Sequence, residues 1–156
     1  MKKSSYITAG GLIAALYVVL TLVANAFGLA SGAIQMRLSE ALTVLPYFTP
    51  AAIPGLFAGC LVSNLITGGI PADIIVGSVA TLLGAIGSYY VRKYKWLVPV
   101  PAILANTLLI PPVLKFAYGI PGSYVYFTAT VFSGEVLSAG LLGILLLTAL
   151  SKHVKH

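Results

Sequence analysis

The chain has 156 residues, 59% of them hydrophobic and 8% charged, with a formal net charge of +6 and a mean hydropathy of +1.02. Soluble domains carry about 25% charged residues, so the composition excludes a water-soluble globular fold and reads as one integral membrane domain, residues 1–156, with room for five or six spans and no extramembrane part. The positive charge does not form the stripe that a nucleic-acid binder needs. It sits in short groups that flank apolar runs: Lys2-Lys3, Arg92-Lys93-Tyr94-Lys95 and Lys152 to Lys155.

The first apolar run, Tyr6 to Val23, is longer than the apolar region of a cleaved secretory signal, so it reads as a retained span reaching about Phe27. Its early part repeats small residues at i, i+4, Gly10 with Ala14 and Gly11 with Ala15. Such a strip lets another helix approach closely, either within the protein or from a partner subunit. A Gly/Ser/Ala-rich linker follows from Gly28 to Ile34. The run from Gln35 then forms a second segment that is either short or starts near Ala33, since Pro46, Pro50 and Pro54 punctuate it.

A third segment is expected from Pro50 to Thr67, and a fourth from Pro71 to Tyr90, with Pro71 and Asp73 suited to a first helical turn. Arg92 to Trp96 combines basic and aromatic residues as an interface does. The fifth segment runs from Leu97 to Tyr118, carries Asn106 at its middle and is broken at Pro111-Pro112; the sixth runs from Ser123 to Leu150 and holds Glu135 near mid-depth.

The expected fold is therefore all-α, with six transmembrane helices. Six spans put both termini on one face. Lys2, Lys3, Arg92, Lys93, Lys95, Lys152 and Lys155 share that face while Arg37 and Lys115 fall opposite, so both termini are expected to be cytoplasmic.

With that topology Gln35, Arg37, Glu40, Asn64, Asp73, Asn106 and Glu135 gather in the outer half of the bilayer. A charge at a helix centre costs on the order of 2.5–3.5 kcal/mol on insertion scales, so these side chains must meet one another, water or a solute. An outward-facing polar pocket satisfies that requirement. Local alternatives stand beside it: Arg37 and Glu40, at i, i+3, suit a structural ion pair. Asp73 suits a helix end, Asn106 suits interhelical hydrogen bonding, and Lys115 suits a snorkelling side chain. Glu135 has no partner near it in sequence, which makes it the leading candidate for function.

The lone cysteine, Cys60, leaves no internal disulfide. No phosphate loop of the GxxxxGK[ST] type is present, and the two histidines, His153 and His156, lie in the tail. A nucleotide hydrolase, a histidine metal centre and a Ser-His intramembrane hydrolase are excluded on those grounds, and no cofactor is expected.

The run Gln35-x-Arg37-x-Ser39-Glu40-Ala41-Leu42-Thr43-x-Leu45-Pro46-x-Phe48-x-Pro50-x-Ala52-Ile53-Pro54-Gly55-Leu56, followed by Gly59 and Asn64-Leu65, closely resembles the QueT family. A looser likeness continues through Asp73-x-x-x-Gly77-Ser78-x-Ala80-Thr81-Leu82-Leu83, Asn106 and Gly134-Glu135. The resemblance implies a substrate-binding S component of an energy-coupling factor (ECF) importer. Such a protein lies in the bacterial plasma membrane and captures queuosine precursors of the 7-deazaguanine type, such as preQ0 or preQ1. It also implies an ECF coupling module as partner, a membrane subunit with two ATPases, docked on Gly10, Gly11, Ala14 and Ala15.

A deazaguanine presents two adjacent N–H donors that one carboxylate can accept in bidentate fashion, Glu135 first and Glu40 second. Asp73 or Glu40 would balance the charge of an aminomethyl form, and Asn64, Asn106, Arg37 and Gln35 complete the expected ligand-binding set. The loops around Ala30 to Gln35 and Thr67 to Ala72 are expected to close over the ligand. Two positions depart from the family pattern: Ala72 stands where an aromatic is frequent, and Leu114-Lys115 where an acid is frequent. Tyr47, Tyr118, Tyr124 and Phe127 are left as candidates for stacking. The rival readings are an S component for another vitamin-sized solute, a structural subunit and a membrane-embedded lipid-modifying protein.

Overall fold

A computed structural model describes residues 2–29 and 36–154 of the chain. Among these residues the regular secondary structure is all helical, joined by short turns. Met1, residues 30–35, where one closing loop and Gln35 are expected to act, and the last two residues lie outside the described residues.

The elements are α1 (Lys3–Ala26), a 3₁₀ segment (Leu38–Tyr47), α2 (Ala52–Ile66), α3 (Pro71–Tyr90), α4 (Val100–Pro112), α5 (Tyr124–Glu135) and α6 (Gly143–His153). α4 continues through a π-helical turn, Val113–Ala117, and α5 runs through a π-helical stretch, Val136–Leu142, into α6. Pro111-Pro112 thus does not break the fifth segment as expected. The prolines withhold two N–H donors, and the helix widens its pitch so that the Tyr118 N–H donates to the Val113 carbonyl at 3.0 Å.

Four of these stretches are long and apolar enough to cross a membrane: Lys3–Ala26, Pro71–Tyr90, Lys95–Ala117 and Tyr124–His153. The remaining two are shorter. α2 has 15 residues, a length of about 22 Å. The 3₁₀ segment has ten, about 20 Å at the 3₁₀ rise.

α1 and α2 end in the same way. Gly28 and Gly68 take the left-handed conformation (φ 71° and 76°). The next N–H reaches back to Ala24 O at 2.9 Å in α1 and to Asn64 O at 2.9 Å in α2. This glycine cap satisfies carbonyls that lipid could not, and it stops both helices at the same end of the bundle.

The 3₁₀ segment sits at the centre of the molecule: Ser39, Glu40, Ala41, Leu42, Thr43, Val44 and Pro46 are all buried. Pro46 removes a helical donor, while the Thr43 hydroxyl donates to the Glu40 carbonyl at 2.6 Å, which helps the chain hold the tighter coil. With three residues per turn, Glu40, Thr43 and Pro46 eclipse along one stripe. On one side Leu42 joins Ile13, Tyr17, Ala52, Leu56, Cys60 and Ala85. On the other Val44 packs with Val98 and Leu147.

Glycine lets the outer helices close on this segment. A Cβ on Gly59 would lie 2.7 Å from Tyr17 Cβ and 3.0 Å from the Ala14 carbonyl, and one on Gly84 would lie 2.8 Å from Ala102 Cα. By contrast a Cβ on Gly11 would meet nothing within 4 Å. Gly59→Ala is therefore expected to cost about 1–3 kcal/mol through overpacking and to lower the melting temperature in detergent. Gly11→Ala should leave it unchanged or slightly raised, and equal melting temperatures for the two variants would contradict this packing.

Candidate functional site

The chain contains three acidic residues in all, Glu40, Asp73 and Glu135, and the fold brings the three toward one chamber. Glu40 and Glu135 lie deep, 0% and 6% exposed. Asp73 stands in the first turn of α3 at the rim.

At the base, the Glu40 carboxylate is held from two sides. The Tyr17 hydroxyl donates to its Oε1 at 2.5 Å, and the Asn106 Nδ2 donates to its Oε2 at 3.3 Å. The same Asn106 nitrogen lies 3.2 Å from Glu135 Oε2 and 3.1 Å from the Ala102 carbonyl one turn earlier on α4. α1, the 3₁₀ segment, α4 and α5 are thereby joined through one amide and two carboxyl groups. The expected pairing of Arg37 with Glu40 on one α-helical face is replaced by this arrangement: Arg37 stands just before the 3₁₀ segment in an extended conformation (φ −104°, ψ 100°).

Above this cluster is a cavity of about 90 Å³ lined by Tyr17, Thr21, Arg37, Ser39, Asn64 and Asp73, among others. A second space, about 10 Å³ and enough for roughly one water, is lined by Arg37, Asn106, Ile110, Val131 and Glu135. A third, wider one of about 230 Å³ lies against Arg37, Asp73, Leu114, Tyr118 and Ile120. Arg37 borders all three. At the rim the Tyr118 hydroxyl donates to Asp73 Oδ2 at 2.8 Å, tying the end of the fifth segment to the start of α3.

Of the residues named from the sequence, Glu40, Asn106 and Glu135 meet directly, and Arg37, Asn64 and Asp73 line the chamber. Asn64 is buried, its Nδ2 3.6 Å from Cys60 Sγ. Gln35 lies outside the described residues. Lys115 turns to the Phe116 ring, 5.6 Å from its centroid.

The four aromatic candidates separate. Tyr118 stands at the rim, whereas Tyr47 packs against the Val44, Val98 and Leu147 cluster. Phe127 is buried beneath the Gly122 turn, and Tyr124 lines an apolar groove with Phe132. The aromatic residue that reaches the chamber floor is Tyr17, which is not among those four. Its signal is the row Tyr17, Thr21 and Asn25 at i, i+4 and i+8, a polar stripe on an otherwise apolar helix. The Thr21 hydroxyl lies 2.9 Å from Ser39 Oγ on the 3₁₀ segment, which continues that stripe.

The small-residue strip of α1 divides. Gly10 and Ala14 serve α2: a Cβ on Gly55 would lie 2.6 Å from the Gly10 carbonyl. Gly11 and Ala15 remain exposed. Together with Tyr6, Ile7, Pro54, Gly55 and Ala58, the residues Gly10, Gly11 and Ala14 line a shallow apolar groove of about 340 Å³. It lies on the outer side of α1 and α2, away from the polar chamber.

Comparison with known proteins agrees with this architecture. The family model described as QueT transporter matches residues 7–152. The queuosine precursor transporter QueT of Lactococcus lactis subsp. cremoris (strain MG1363) is 36% identical over 85 residues, which are 53% of this chain and 50% of that protein. The aligned region therefore spans about half the length of that relative. No solved structure matches. With a family match over nearly the whole chain and four helices able to cross a membrane, this multi-pass membrane protein belongs to the QueT transporter family.

Proposed function

We propose that the protein is the substrate-binding S component of an ECF-type importer and captures a queuosine precursor, a 7-deazaguanine, from outside the cell. In this reading six helical segments traverse or enter the bilayer, both termini are cytoplasmic, and the chamber opens to the exterior. The observation that carries the reading is the buried Tyr17–Glu40–Asn106–Glu135 cluster beneath a cavity walled by Arg37, Asn64 and Asp73. Carboxyl groups in an apolar bundle are costly unless a polar ligand or each other gives them partners.

The roles divide by what each group has left to offer. Both oxygens of Glu40 already accept hydrogen bonds, so Glu40 positions Asn106 and the floor. Glu135 uses Oε2 toward Asn106 and borders the inner space shared with Arg37. It is the carboxylate we assign to the paired N–H donors of the heterocycle. Arg37 and Asn64 face its carbonyl and ring nitrogen, and Tyr118 with Asp73 guards the entrance. Because the chain has no phosphate loop, the energy for release inward comes from a coupling module of one membrane subunit and two ATPases. That module docks on the α1 surface of Gly10, Gly11, Ala14 and Ala15, the first three of which line the groove.

Isothermal titration of the purified protein with 7-deazaguanines tests the capture half. Glu135→Ala is expected to weaken binding by roughly 30-fold or more, as loss of one partner of a buried charged hydrogen bond does; unchanged affinity would remove Glu135 from the site. Tyr17→Phe leaves Glu40 Oε1 without its donor and should lower stability by about 1–3 kcal/mol, read as an earlier thermal transition. Gly11→Leu with Ala15→Leu should leave titration unchanged but abolish uptake of labelled precursor in cells that also express a coupling module. Normal uptake by that variant would place the docking surface elsewhere.

A further inference from the structure

Two buried carboxyl groups converge on one amide at the chamber floor. The Asn106 Nδ2 lies 3.3 Å from Glu40 Oε2 and 3.2 Å from Glu135 Oε2, and its two hydrogens suffice for one to each; the Ala102 carbonyl, at 3.1 Å, lies one turn earlier on the same helix. A proton resident on the carboxyl pair relieves the repulsion of two carboxylates gathered on one nitrogen in a medium that screens poorly.

The charges around the pair point the same way. From α1 it is faced by Tyr17, from α2 by Cys60 and from the lead-in to the 3₁₀ segment by Arg37, which is itself faced by Asp73 of α3. The ionisable groups of α6 in its last turn, Lys152 and His153, lie at the opposite end. Among the described residues, one cation, Arg37, stands against three carboxyl groups here, Asp73 and Glu135 in the chamber lining and Glu40 behind Asn106. A buried site keeps its charge when one positive group leaves as another arrives.

We propose that Glu40 and Glu135, bridged by the Asn106 amide, act as a single carboxyl pair that holds one proton on a carboxyl oxygen, and that a cationic heterocycle enters the chamber in exchange for that proton. The proposal rests on the capture reading above and adds to it a selection by charge. The proton leaves one carboxyl oxygen for bulk water through the cavity, the ammonium group of the ligand takes over the charge balance, and no covalent bond to the ligand forms. A neutral ligand of the same ring leaves the proton where it is, and so gains less from the chamber.

The test is titration calorimetry on wild-type protein with aminomethyl- and nitrile-substituted 7-deazaguanine, in buffers of different ionisation enthalpy, between about pH 5.5 and 8. Release of close to one proton is expected for the aminomethyl compound. Because binding expels a proton, its affinity should rise with pH, by up to ~10-fold per unit while the pair is protonated, and then level off. The nitrile compound should bind with no buffer dependence. Glu135→Gln leaves a single carboxyl and should erase the proton release and the pH slope for the aminomethyl ligand.

Binding of the aminomethyl compound with no proton released and a flat pH profile would overturn the exchange while leaving the capture reading intact. Binding of neither compound would reject both. The wild-type proton count stands by itself should the variant fail to fold.

Discussion

A single amide nitrogen holds the molecule's interior together. Asn106 Nδ2 reaches two carboxyl groups and a backbone carbonyl, and through them α4 is tied to the central 3₁₀ segment and to α5. Hydrophobic association contributes little between helices in lipid, so packing and such polar ties fix which helices meet. In the capture reading proposed above, the tie is also the site: the groups that hold the bundle in register are those a solute would engage, which makes stability and recognition two readings of one set of hydrogen bonds.

Close packing at either side sets that geometry. On one side α2 lies against α1 without side chains between them, since Gly55 and Gly59 press on the Gly10 and Ala14 backbone, and this approach leaves Tyr17 1% exposed and aimed at Glu40. On the other side Gly84 and Gly87 of α3 press on Ala102 and Pro101; Ala102 is also the residue whose carbonyl holds the Asn106 side chain. A glycine in α3 thus places the α4 turn that orients the amide. The outer groove and the chamber share α1 as a common wall at different heights, with Gly10, Gly11 and Ala14 lining the groove nearer its start and Tyr17 and Thr21 lining the chamber farther along.

Much of this was legible before any coordinates. Glu135 and Asn106 stood out because polar residues in long apolar runs have to find partners, and the two find each other. Gly10 and Ala14 stood out for the same reason that small residues matter in lipid, though they turned out to face α2. What could not be read was the coil of residues 38–47. Charged and apolar residues there suit an α-helix as well as a 3₁₀ helix, and only the burial of nearly every side chain around Pro46 decides between them. That choice moved Arg37 off the face it was expected to share with Glu40. Tyr17 was missed because an aromatic in a membrane helix is usually packing, and its hydroxyl gains a role only when the 3₁₀ segment brings Glu40 to it.

The π-helical turns complete the arrangement. Val113–Ala117 and Val136–Leu142 lie just beyond Asn106 and directly after Glu135, and each shifts the helix face by inserting extra residue into the turn. In a regular α-helix the apolar stripe of α5 would continue straight into α6. The wider coil lets Glu135 face the floor while Leu147 of the same rod reaches the separate cluster with Val44 and Val98. One helix can therefore serve a polar chamber in one half and an apolar core in the other. A chain with three acids among 156 residues needs such a device, because it has no spare acidic residues with which to build the chamber from a dedicated helix.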